Sequence, residues 1–408
     1  MDAGEGTRLL TALDSQPGGR QVLELASSSS ELMLVGGAVR DLLLGRSPRE
    51  LDVLAPDDAE GHAMRLAELI GPDGGVEVTP HGRFGTAAVR WPEGRVDVAA
   101  RRTEIYPAPG ALPEVGPGTV EQDLLRRDFS VNAIALVLDG GERGQLRAAP
   151  HALEDLDARR LRILHDASFR DDPTRLLRLA RYSARLGFEI EPETAALATR
   201  AVADGAPATV SGARLGAELR LALAEEEPLA PLAAIGELGL LAALGLRSPM
   251  PVAQAADALH LLPADGRPAE LLMALLLVDG APFDRLEFPA GERDRIAASA
   301  RTARSIAATL ADERRPSKLH EVLAGATPEA VAVAGACGGA RAHEGAQLWL
   351  SKLRHVRLSI TGDDLLAAGA SAGPELGRRL AFALALKLDG QLEGGAEAEL
   401  AAAMKESV

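Results

Sequence analysis

A single cysteine in 408 residues, Cys337, leaves this chain without an internal disulfide and without the thiols of a cysteine-rich zinc site. The eight histidines are scattered without metal-ligand spacing, so zinc is not expected. No apolar run reaches the ~18 residues that mark a membrane-spanning helix. The start of the chain (Met1, Asp2, Glu5, Arg8) lacks the basic-then-apolar order of a signal peptide. A cytoplasmic protein with no membrane partner is therefore expected. No repeat of fixed period stands out, which disfavours a solenoid. Positive charge is also short: 44 Lys and Arg face 59 Asp and Glu, a net charge of −15. At first sight that argues against nucleic acid, which needs clustered cations.

The remaining balance, 47% hydrophobic and 25% charged, is that of a folded chain long enough for two or more domains. The distribution of charge also qualifies its sum. Residues 159 to 185 hold eight arginines (159, 160, 162, 170, 175, 178, 181, 185) against three carboxylates (Asp166, Asp171, Asp172). Such a segment can form a polyanion-binding face, or a solvated helix surface with paired charges.

The first third reads as mixed α and β. Leu32–Val35 and Leu51–Leu54 have strand character, and Ala38–Leu44 between them has helical apolar spacing ended by Gly45. His62–Ile70 is a second amphipathic helix, with Asp57 and Asp58 as a loop or helix-start signal. Val76–Val78, Thr86–Trp91 and Val96–Ala99 read as strands, the last two joined across Pro92-Glu93-Gly94. The Pro- and Gly-rich run Pro107–Gly118 is expected to leave the sheet as an extended loop. From about Leu153 the chain turns helical, with helical spacing in Leu176–Leu186, Ala213–Glu225, Leu229–Leu244, Glu270–Val278 and Gly377–Leu388. Ala-rich stretches near 290–345 and 395–404 suit further helices.

Four clusters carry chemistry. Gly36 and Gly37 follow a strand and open a helix, where backbone N–H groups can approach an anion, and Arg40 can add a charged clamp; the same turn also serves as a mere tight connection. Glu50 and Asp52, two apart on a strand, point to one face, either to hold cations or to sit in water. Asp97, flanked by apolar residues, is placed to supply a third carboxylate. Arg102 and Glu104 come next, and then Arg126, Arg127, Asp128 and Asn132 suit triphosphate and ribose contacts, or a salt-bridged helix start. Finally, Asp171 and Asp172 precede Pro173 and Arg175. Asp172 and Arg175 could read a base edge, or Asp172 could simply cap a helix.

In this order the clusters resemble the class II tRNA nucleotidyltransferase family, shared by CCA-adding enzymes and bacterial poly(A) polymerases. The motifs are Gly-Gly-x-Val-Arg-Asp at 36–41, the acids at 50 and 52, Arg102 with Glu104, Arg-Arg-Asp at 126–128 with Asn132, and Asp-Asp-x-x-Arg at 171–175. The likeness is strong over roughly 30–245, includes Arg214–Leu219, and is visible again at Thr361–Leu365 with Gly373-Pro374. It implies an α+β fold: a small mixed-sheet, polymerase-β-like head (1–140), then an all-α neck (141–205), body (206–280) and tail (281–408). It also implies template-independent addition of C and A from CTP and ATP to the tRNA 3′ end.

On that resemblance Glu50, Asp52 and Asp97 would hold two Mg²⁺ ions. Gly36, Gly37 and Arg40 would sit near the triphosphate, with Arg102, Arg127, Asp128 and Asn132 at the nucleotide. Asp171, Asp172 and Arg175 would read the base, backed by Arg178. The chain departs from the family in having Glu50 and Asp171 where Asp and Glu are usual, and it has no phosphohydrolase-type His–Asp cluster. Within the family the alternatives are addition of CC alone or A alone, and poly(A) synthesis. Outside it stands a catalytically silent RNA-binding protein, and the oligomeric state is open.

Overall fold

The computed structural model describes residues 3–29, 31–71, 75–82, 85–277 and 283–405. The chain forms two compact units, Met1–Ser211 and Gly212–Val408.

The first unit begins with helices α1 (Ala3–Asp14) and α2 (Gly19–Ser28) and is built on a seven-stranded mixed sheet. In chain order its strands are β1 (Met33–Val35), β2 (Leu51–Ala55), β3 (Glu77–His81), β4 (Thr86–Trp91) and β5 (Gly94–Ala100). Beyond a ribbon of β6 (Arg102–Ile105) and β7 (Glu114–Pro117), β8 (Ile134–Val137) and β9 (Leu146–Ala148) complete it. The order across the sheet is β3-β4-β5-β2-β1-β8-β9, antiparallel throughout except for the parallel pair β2–β5. All residues of β1 and β8 are buried, as continuous apolar runs in central strands require. In β2 only Asp52 breaks the buried run.

Helix α3 (Gly37–Leu43) connects β1 to β2, and Gly45 in the left-handed region ends its turn. Helix α4 (Ala59–Ile70) starts where the Asp57-Asp58 signal places it, with Asp58 accepting from the Gly61 N–H. Helix α5 (Val120–Leu125) opens with a capping box between Thr119 and Gln122. Its Val120 and Leu124 close a core with Met33, Val35, Leu54, Ala135 and Val137. This fixes α5 over the sheet face that also carries Asp52. Four further helices follow: α6 (Ala152–Asp157), α7 (Ser168–Asp171), α8 (Thr174–Leu186) and α9 (Pro192–Ala203).

Three expectations need correction. The stretch Pro107–Gly118 is not all loop, because β7 pairs in register with β6 from Arg102↔Pro117 to Ile105↔Glu114. The helical part includes a two-residue parallel pair, β10 (Arg160–Leu161) with β11 (Glu189–Ile190). The expected helix Leu229–Leu244 breaks into Leu229–Glu237 and Leu240–Ala243, because Gly239 adopts φ 75° between them.

The second unit is helical. Its helix Ala290–Asp312 packs with Pro328–Cys337 and Ala340–Ser351, and the last helices gather around Ile360, Leu365, Ala383 and Ala403. The expected helix at Glu270–Val278 is observed as Pro268–Leu276, and Val278 lies outside the described residues. No described helix is long and apolar enough to cross a membrane.

Leu34, fully buried at the centre of β1, is the test of this arrangement. Leu34→Ala is expected to destabilise the first unit by about 2–5 kcal/mol. The shift should be seen as a lower urea midpoint for that unit with an unchanged slope.

Candidate active site

Val35, Asp52 and Asp97 occupy one row across β1, β2 and β5: Val35 pairs with Asp52, and Asp52 with Asp97. Parallel register thus brings two carboxylates from distant sequence positions side by side. Glu50 lies one residue ahead of β2 rather than within it, yet stays close enough to act on Asp52 electrostatically. Burial, followed by the charges of Glu50 and Asp97, pushes the Asp52 carboxyl up to about 7 against the pull of Arg127 and Arg95.

The expected three-carboxylate metal set is not assembled. Among the described residues no group of three or more acids, histidines or cysteines is gathered closely enough to hold a metal ion. Arg95 stands at these oxygens instead: its Nε and Nη2 donate to Asp97 Oδ1 at 2.8 Å and Oδ2 at 2.5 Å. Its Nη1 also lies 3.5 Å from Glu50 Oε2. The donor chemistry, hard carboxylate oxygens around an under-neutralised Asp52, fits a divalent cation, and a guanidinium stands among those oxygens.

Gly36 borders the same carboxylate. Its φ of 73° and ψ of −137° are open only to glycine. A Cβ there would lie 2.8 Å from Arg127 Nη1 and 3.5 Å from Asp52 Oδ2. Glycine therefore serves both the turn and the close approach. Gly37 opens α3, and a Cβ on it would meet Arg40 Nη2 at 3.4 Å.

Arg127 is aimed by Asp123, a fully buried carboxylate that accepts from Arg127 Nη2 at 2.9 Å and from Arg126 Nη2 at 2.7 Å. Burial alone would raise the Asp123 pKa, but Arg127 and Arg126 hold it below the ordinary range. Arg126 also donates to Glu104 Oε1, which accepts from Arg102 as well. The Glu104 carboxyl, desolvated but held by Arg126 and Arg102, is likewise depressed. Both arginines follow the C-terminal end of α5, so the alternative of a salt-bridged helix start at Arg-Arg-Asp gives way to a helix exit.

Arg40 does not stand free as a clamp. It is 2% exposed, donates through Nε to Asp41 at 2.8 Å and through Nη1 to Asn132 Oδ1, and lies over the Tyr182 ring. Asn132 passes the chain on, donating from Nδ2 to Asp128 Oδ1 at 2.9 Å, and Asp128 is paired with Arg178 at 2.6 Å. Despite complete desolvation, the Arg178 charge and the Asn132 hydrogen bond keep Asp128 below its usual pKa. Arg40, Asn132 and Asp128 are thus one buried polar strut behind the glycine turn, closed at its outer end by the part-exposed Arg178.

The expected base-reading pair is also committed internally. Arg175 is buried, donating from Nη1 to Ser168 Oγ at 2.6 Å and from Nη2 to the Arg126 carbonyl at 2.8 Å. Asp172 lies in extended backbone ahead of α8, where its Oδ1 accepts from the Thr174 N–H and hydroxyl. The two are therefore not neighbours on one helical face. Asp171 remains partly exposed beside Arg170.

The same internal use corrects the expected basic face. Arg162 pairs with Asp155, Arg178 with Asp128 and Arg185 with Asp41, while Arg181 is buried over Tyr182. The four arginines of α8 (Arg175, Arg178, Arg181 and Arg185) are thus engaged within the protein, whereas Arg159 and Arg170 face solvent.

Comparison with known proteins agrees with this layout. A model of the poly A polymerase head domain matches residues 32–162. A CC-adding tRNA nucleotidyltransferase of Deinococcus radiodurans is 35% identical over 379 residues, covering 91% of this chain and 88% of the relative. The chain belongs to the tRNA nucleotidyltransferase family. An A-adding tRNA nucleotidyltransferase of Geobacter sulfurreducens is 42% identical over 208 residues, 51% of this chain but only 23% of that protein. The structure of a Thermotoga maritima CCA-adding enzyme complexed with tRNA has a TM-score of 0.80 at 23% identity, covering 98% of each chain, and shows the shared fold.

Seen as a family member, the chain contains three site residues that sequence reasoning missed: Asp123, Arg95 and Tyr182. Two had a readable signal. Asp123 stands three and four residues before Arg126 and Arg127, helical spacing for ion pairs, and Arg95 stands two before Asp97 on a strand. Tyr182 had none.

The raised Asp52 pKa has a signed consequence. A carboxyl that binds its proton more tightly when folded lowers stability as pH climbs from its unfolded value through about 7. In metal-free buffer Asp52→Asn should therefore melt above the wild type near about pH 8, with the gap closing towards about pH 4. Parallel melting curves at all pH values would contradict the assigned electrostatics.

Proposed function

We propose that this chain adds C and A nucleotides from CTP and ATP to the 3′ end of tRNA without a nucleic-acid template. The observation that carries the reading is the placement of Asp52 beside Asp97, under a glycine-only turn and within reach of Arg127. Near full-length similarity to a tRNA nucleotidyltransferase supports the substrate. Solved CCA-adding enzymes of the same fold have been described with CTP (TM-score 0.78) and with ATP (TM-score 0.74).

Glu50, Asp52 and Asp97 are the residues that would hold Mg²⁺. When bound, two such ions lower the pKa of the attacking RNA 3′-hydroxyl and stabilise the leaving pyrophosphate. The chain's own residues do the rest. The Gly36-Gly37 turn leaves room for the triphosphate, and Arg127, held by Asp123, offers a directed charge to it. The strut from Arg40 through Asn132 to Asp128 and Arg178 fixes the floor of the site, and Arg102 with Glu104 braces Arg126. Asp171 at the end of α7, Asp172 in the link after it and Arg175 in α8 would border the nucleotide pocket. In this reading residues 1–140 are the catalytic head, 141–205 the neck, 206–280 the body and 281–408 a tail for tRNA, working in the cytoplasm.

A second reading, addition of CC alone, is favoured by one observation: the CC-adding relative covers nine-tenths of the chain.

One experiment tests both. The protein is incubated with Mg²⁺, labelled CTP or ATP, and tRNAs ending before CCA, after the first C and after CC. Extension of all three supports full CCA synthesis, arrest after CC supports the second reading, and no extension of any tRNA sinks both. Asp52→Ala should abolish transfer, by at least about a hundredfold, while leaving tRNA affinity within about twofold, since Asp52 makes no cationic contact to RNA. Transfer retained by this variant would refute the site.

A further inference from the structure

Arg95 is half-exposed, yet it grips both oxygens of Asp97 and reaches Glu50 at 3.5 Å. A bystander pair on one strand would touch Asp97 alone. Arg95 also interacts favourably with Asp52, the partner of Asp97 in the β2–β5 register. Across the sheet β4 pairs Arg90 with Arg95, and Arg90 itself donates to the Thr79 hydroxyl. The guanidinium fork matches a carboxylate bidentately, so a metal ligated by Asp97 competes with Arg95 for the charge and lone pairs of those oxygens. With its side chain 40% exposed, Arg95 can move into water without leaving a buried cation behind.

We infer that Arg95 is an internal counter-cation, which neutralises the Glu50–Asp52–Asp97 cluster in the metal-free protein and is displaced when divalent ions enter. It is a positioning residue, not a catalytic one, and it sets the metal concentration at which the site fills. The inference rests on the proposed reading of these carboxylates as the metal-holding residues. It also gives the longer side chain of Glu50 a use, because that carboxylate lies outside the strand and beside the guanidinium.

The test measures binding of Mn²⁺ alone, with no nucleotide or RNA, by the loss of the free-ion electron paramagnetic resonance signal. Wild type, Arg95→Gln, Arg95→Lys and Asp52→Asn are compared, with melting curves confirming that each is folded. Arg95→Gln should bind Mn²⁺ about tenfold more tightly, because one positive charge beside the site is gone. Arg95→Lys, which keeps the charge but loses the fork, should fall between it and wild type. The Mg²⁺ concentration for half-maximal transfer should drop in parallel. Unchanged or weaker Mn²⁺ binding by Arg95→Gln, with Asp52→Asn binding poorly, would overturn the inference and leave the metal site standing. Equal Mn²⁺ binding by wild type and Asp52→Asn would instead overturn the metal assignment, and this inference with it.

Discussion

Two carboxylates on neighbouring strands repel each other, and everything around the head of this protein is arranged to hold Asp52 and Asp97 in that position. The constraint is the parallel pairing of β2 with β5, a single parallel contact in an otherwise antiparallel sheet. Antiparallel neighbours β1 and β4 lock the pair from both sides. Burial, then the charge of Glu50 and to a lesser degree that of Asp97, raises the Asp52 pKa, and Arg127 and Arg95 offset part of the rise. A fold that keeps such a pair close has spent stability that hydrophobic burial in β1 and β8 must offset.

Around this pair the arginines divide into two kinds. Arg127 and Arg95 approach the carboxylates, each restrained by an acid of its own, Asp123 or Asp97. Arg40, Arg175 and Arg181 are buried and serve as mortar. Removing one partner from a desolvated charge pair strands the other, so these struts are rigid where an exposed ion pair would be loose. Rigidity at this depth suits the proposed transfer, in which a triphosphate and an RNA end would be held in line without a template strand to align them.

Much of this was readable from residue spacing. Strand-type residues ahead of the Pro92-Glu93-Gly94 turn predicted Thr86–Trp91 to the residue, and the all-apolar Leu32–Val35 run read as a strand that is buried in the sheet. The Gly-Gly turn and the acids around 50–52 were legible because their spacing is local. What spacing could not supply was the partner of each charge. Arg40 read as a phosphate clamp and Arg175 as a base reader because sequence does not show that Asn132, Asp41, Ser168 or the Arg126 carbonyl waits beside them. The pairing of β7 with β6 was hidden for a similar reason, since Pro and Gly mark turns more strongly than they mark an edge ribbon.

Sequence by itself determined the order of the chemistry: a glycine turn, acids on a strand, a third acid, an Arg-Arg-Asp segment and an arginine-rich helix. These follow from local periodicity and side-chain type, which act within a few residues. Tertiary structure alone decided the register that sets Asp52 against Asp97 and the engagement of the α8 arginines within the protein. It also decided the insertion of Arg95 among the carboxylates. Those depend on which strands pair and which charges lose their water, and both are set by contacts between residues far apart in the chain.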